Sequence, residues 1–155
     1  MNTQQQLQFK QQLKSVCISL LEQRLEGALD AMKNAQESAN NEDKSTVGDK
    51  HETTRAMSHL DNEMNAKQME EARHDLTLLH TIDVSKIYSK AERGAVIVCK
   101  HAMFFISAGL GTQTVDDQKI IFISTKAPLA IHFNGKKAGE HFLYNKVEFE
   151  IVEVF

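Results

Sequence analysis

The chain has 155 residues, a formal net charge of −3, one Pro, seven Gly and two Cys. With 25% charged and 41% hydrophobic residues it has the balance of a globular protein and is neither fibrous nor disordered. The small negative charge argues against a stand-alone, non-specific nucleic-acid binder, whose affinity comes from cations that displace counterions from phosphates. Cys17 and Cys99 are too few and too far apart for a disulfide scaffold, which points to a reducing cytoplasm. The opening MNTQQQLQFKQQLK lacks the apolar core of a signal peptide. No stretch approaches the roughly 20 apolar residues of a membrane helix.

From Gln4 to His80 there is no proline, and the only glycines are Gly27 and Gly48. The stretch is rich in Gln, Glu, Lys, Leu, Ala and Met, all good helix formers. Ile18, Leu21, Leu25, Ala28, Met32, Ala35 and Ala39 recur at alternating spacings of three and four, a heptad seam that thins to small residues. Asn40 to Gly48 is polar and has turn chemistry. A second helical run follows, with Met57, Leu60 and Met64 on one stripe and Met69, Ala72, Leu76 and Leu79 on another. The two stripes are out of phase, which predicts a drift or stutter in the seam. Two long helices joined by a short polar connection fold back as an antiparallel pair. The expectation is a coiled-coil hairpin over residues 1–80, its acidic tip near 41–52, with arms of ~40–50 Å.

From Gly94 onward the pattern is that of strands. Ala95–Cys99, Met103–Ile106 and Ile120–Ser124 are short β-branched or aromatic runs. Val147 to Val154 alternates apolar and charged residues, but its phase slips at the end, where Val152 and Val154 share a face with Glu148 and Glu150. Gly109–Gly111 and Val115–Gln118 read as turns. The predicted class is therefore α+β, with a small, mainly antiparallel β domain over residues 81–155.

Several segments together resemble the GreA/GreB transcript-cleavage factors. Ile123–Ala130, with Lys126, Ala127, Pro128 and Leu129 at a proline turn, and Phe133–Glu140 after it, are similar to that family's C-terminal domain. Ile82-Asp83-Val84-Ser85-Lys86 is similar to its link, and Val147–Val154 to its last strand. Gly48-Asp49-Lys50-His51-Glu52 carries the Gly-Asp-x-x-Glu of the family's hairpin tip, although Thr53-Thr54-Arg55 replaces the residues that usually follow.

The resemblance implies an FKBP-like β domain and a partner, RNA polymerase, whose secondary channel takes the hairpin. It implies that Asp49 and Glu52 help to hold a Mg²⁺ shared with the polymerase active site, so that the factor assists cleavage of backtracked RNA and is no enzyme alone. Lys126 to Leu129 would lie towards the polymerase rim. Nucleic acid would be met only through the polymerase, and the expected state is a cytoplasmic monomer with no membrane contact; the alternatives are a Gre-like channel regulator without cleavage activity, or a coiled-coil interaction protein unrelated to transcription. Two-metal phosphodiester chemistry can use acids brought by a second protein, because Mg²⁺ takes a few carboxylates plus water. By spacing alone, Asp49-x-x-Glu52 also reads as a helix-capping box. His51-Glu52 begins like a zincin helix, but Arg55 stands where the second His is needed.

Overall fold

Two long helices open the computed structural model: α1 (Thr3–Glu42) and α2 (Gly48–His80). The described residues are 1–42 and 48–155, without the side chains of 42, 48–51 and 54. At the start of α1, Asn2 Oδ1 accepts from the Gln5 amide and Gln5 Oε1 from the Asn2 amide, both at 2.9 Å. This reciprocal capping box satisfies two amides that the helix cannot pair internally. Two compact units follow, residues 1–18 with 78–155, and residues 19–77. Their boundary falls inside both helices, whereas the sequence changes period near residue 81.

In the first unit six strands form one sheet: β1 (Val96–Cys99), β2 (Met103–Ser107), β3 (Gly111–Val115), β4 (Gln118–Ser124), β5 (His141–Tyr144) and β6 (Val147–Val154). Their spatial order is β3-β4-β2-β1-β6-β5, and only β2 and β4 run parallel. A short helix, α3 (Pro128–Phe133), follows β4. One sheet face buries Ile97, Phe104, Ile106 and Ile151 with Ala130 and Phe133 of α3. Phe133 meets Phe104, Phe142 and Phe149 at ring separations of 5.1, 5.0 and 6.0 Å. Such tilted aromatic pairs contribute about 0.5–1.5 kcal/mol each beyond area burial. The alternate residues Val96, Phe105 and Phe122 are buried on the other face. There Cys17 of α1 brings its sulfur to 3.4 Å from Ser107 Oγ.

The phase slip in β6 has a specific cause. Val98 pairs with Glu153 but Cys99 pairs with Ile151, so Val152 is an extra residue in a β-bulge. The bulge resets the alternation, and Ile151 and Val154 both pack with the core while Val152 is exposed. Two further strands depart from the sequence expectation. β3 (Gly-Thr-Gln-Thr-Val) is a polar edge strand with little apolar signal, and β5 alternates exposed with half-buried residues. The hairpins β3–β4 and β5–β6 turn on Asp116-Asp117 (φ 49° and 60°) and Asn145-Lys146 (φ 48° and 63°). Positive φ at both central positions is the mark of a tight two-residue turn of type I′.

In the second unit the expected seam of α1 holds, with Leu21 and Ala28 buried and Leu25, Met32, Ala35 and Ala39 half-buried. The expected stutter in α2 is absent. Ser58, Asn62, Asn65, Met69, Ala72 and Leu76 are less exposed in an unbroken alternation of four and three, with Ala66 and Asp75 half-buried beside them. The Met57, Leu60 and Met64 stripe is exposed, because the seam keeps its phase and turns polar.

Candidate functional site

Asp49 and Glu52 open α2, which begins at Gly48. Their spacing of three places both positions on one helix face. Glu52 is exposed; the side chain of Asp49, with those of Lys50 and His51, lies outside the described residues. Gly48 is already helical, so Asp49 falls in the first turn and not at the cap position of the capping-box reading. Acids in a first turn favour the helix through its dipole. Among the described residues no group of three or more His, Cys, Asp or Glu is arranged to hold a metal ion.

The Lys126–Leu129 segment is the lead-in to α3. The Lys126 amide donates to Ser124 Oγ and the Ala127 amide to the Ser124 carbonyl, both at 3.0 Å. Pro128 takes the first helical turn, where its missing N–H costs nothing. Ala127 and Leu129 pack against the aromatic core, whereas Lys126 and Pro128 face solvent. Beyond them Ile131 is 64% exposed and borders a cleft of about 210 Å³ with Arg93, Thr125 and Asn134. Ile131 and Arg93 carry no sequence signal that marks them, since only the fold brings residues 93 and 131 together.

Two further features escaped the sequence reading. A cleft of about 440 Å³ beside the β1–β2 connection and β6 is lined by Lys100, His101, His141, Glu148 and Glu150 over Phe149. The Lys100–Glu150 ion pair spans it, holding the Lys100 amine above its ordinary range and the Glu150 carboxyl below its own. Lys100 is exposed and Glu150 half-buried at the surface, and such surface pairs add little stability.

The other feature is a fully buried lysine. Lys10 donates to the Lys86 carbonyl at 2.7 Å, and Lys14 to the Ile82 carbonyl at 2.8 Å. Together they tie the strap from Ile82 to Tyr88 onto α1. Burial pushes the Lys10 amine down to about 8, an effect partly offset by Asp83 and reinforced by Lys86.

Charge divides unevenly between the units. Residues 19–77 hold 13 acidic and 7 basic residues, a formal −6. The sheet unit holds 8 acidic and 11 basic residues, a formal +3. The total of −3 conceals this polarity. No protein-family model matches the chain, and no curated protein or solved structure matches it either.

Proposed function

We propose that the chain is a Gre-like transcription elongation factor that binds RNA polymerase and places its helical arm in the polymerase secondary channel. On this reading α1 and α2 form the antiparallel hairpin, the sheet unit is the FKBP-like domain, and Asp49 and Glu52 assist cleavage of backtracked RNA. The observation that carries it is the order of parts. A long helix, a polar connection, Gly48-Asp49-x-x-Glu52 opening a second long helix, a strap and a sheet unit follow one another as in that family.

The charge of the arm supports the same reading. An arm of −6 would be drawn to a passage lined by cations. Two carboxylates on one helix face are too few for a magnesium site of their own, since Mg²⁺ keeps a full octahedron of oxygens. They suit a site built mostly by the partner, where the ion would stabilise the developing charge at the cleaved phosphodiester. Lys126 and Pro128, exposed at the start of α3, serve the sheet unit's contact with the polymerase rim.

The test is cleavage in backtracked elongation complexes. Wild type should shorten the RNA from its 3′ end, and Asp49→Asn/Glu52→Gln should bind equally but cleave at least a hundredfold more slowly. Absence of cleavage with wild type, binding retained, would replace this reading by a second one. In that reading the chain occupies the channel as a regulator, which the Thr53-Thr54-Arg55 departure after Glu52 favours.

A further inference from the structure

Met57, Leu60 and Met64 of α2 are 62%, 58% and 62% exposed, while Ser58, Asn62 and Asn65 turn partly inward. This inversion costs the arm stability in two ways. Apolar area stays in water, and the buried Oδ1 of Asn62 has no hydrogen-bond partner. A helix shaped only by its own packing would hold the large apolar residues inside. The stripe also borders a cleft of about 430 Å³, to which α2 contributes Asp61 and Met64, and α1 Ala31 and Ala35. Small residues on α1 leave room there for an incoming side chain. Methionine, unbranched and polarisable, adapts to such contacts.

Charge selects the occupant. Residues 19–77 carry −6, and Asp61 stands on the stripe itself, four residues after Met57 and three before Met64. Two such arms repel each other, which disfavours a second copy, and the same sign disfavours nucleic acid. A protein wall that is apolar and rimmed with cations fits both the stripe and its charge. We propose that Met57, Leu60 and Met64 are the grip by which the arm docks on such a wall of RNA polymerase. The inference rests on the reading of the chain as a polymerase-binding factor.

Met57→Gln/Leu60→Gln/Met64→Gln removes the stripe but keeps good helix formers. Binding of the full chain to purified core RNA polymerase is measured beside the melting temperature and sedimentation. Leu29→Gln, at a residue of α1 that is 45% exposed, serves as the control. The proposal expects binding at least tenfold weaker for the triple variant, with an unchanged melting temperature and with the Leu29 control binding as wild type. Met57→Leu/Met64→Leu should bind normally. Equal binding by wild type and the triple variant overturns the grip and leaves the polymerase reading standing. Failure of wild type itself to bind overturns that reading and the grip with it. A fall in melting temperature means the stripe packs within the arm, and a dimer lost only in the triple variant means that a second copy covers it; either outcome overturns the proposal.

Discussion

The Lys10 ammonium lies 4.1 Å from the centre of the Tyr88 ring and donates to the Lys86 carbonyl beside it. Lys86 holds its own amine 4.5 Å from the same ring, and the Tyr88 hydroxyl donates to the Asp83 carbonyl at 2.9 Å. One aromatic ring thus meets two cations, the inner one without exposed surface. A cation over a ring gains about 0.5–2 kcal/mol. Desolvation nevertheless wins, and the amine is easier to deprotonate than an exposed lysine.

Stability should therefore depend on pH through Lys10. Its pKa is about 8 in the folded chain against 10.5 when solvated. Between these values the unfolded chain binds more protons, so the Lys10 contribution to stability rises with pH, by on the order of 3 kcal/mol across the window. Cys17 and Cys99, both pushed up to about 11 by burial, act in the opposite direction above pH 9. The measurement is thus the difference in unfolding free energy between wild type and Lys10→Met. Wild type should gain on the variant from pH 8 to 10; a flat difference refutes the assignment.

Gly94→Ala should be among the most damaging single changes in the sheet unit. At φ +93° a side chain is strained, and an added Cβ would stand 2.7 Å from Tyr88 Oη and 2.8 Å from Ile82 Cγ2. Both clashes fall on the strap that Lys10 and Lys14 hold. A loss of about 2–4 kcal/mol is expected in urea unfolding, larger than the ordinary cost of alanine at positive φ. A loss below 1 kcal/mol would show that the strap shifts freely.

The β5–β6 turn offers a gain. Lys146 sits at φ 63°, where a residue with a Cβ carries strain. Lys146→Gly creates the Asn-Gly pair that such turns favour and should raise stability by ~0.5–1 kcal/mol despite glycine's greater unfolded-state entropy. An unchanged or lower urea midpoint would argue that the turn is unstrained.

Asn62→Leu should strengthen the second unit by about 1–2 kcal/mol, because it replaces an unpartnered buried oxygen with apolar packing in the seam. Thermal unfolding followed by circular dichroism would register the gain. A loss instead would mean that Asn62 is satisfied by water.

The α1 seam was legible because Leu21, Leu25, Ala28 and Met32 are apolar at heptad spacing. The α2 seam was legible only in its second half, at Met69, Ala72 and Leu76; in the first half the inward residues Ser58, Asn62 and Asn65 are polar while the outward Met57, Leu60 and Met64 imitate a core stripe. Strands β1, β2 and β4 announce themselves by β-branched and aromatic runs; β3 is a threonine-bearing edge whose pairing comes from β4 alone. Lys10 and Lys14 look like solvated charges in the sequence, because burial of an amine depends on what the distant strap brings to it. Asp49 and Glu52 were legible as a pair on a helix face, but their chemistry belongs to whatever the arm docks upon.

The bulge in β6 makes chain length, at one point, matter more than side-chain identity. On either side of Val152, the pairs Cys99–Ile151 and Val98–Glu153 would be consecutive if that residue were missing. Deleting Val152 would leave every partner in place and only straighten the strand. A one-residue deletion between Val147 and Glu150 would shift the residues before it out of register with β5, exchanging the core and solvent faces there. Val152 is therefore a spacer, the one position in this strand where the fold can lose a residue without losing its reading frame.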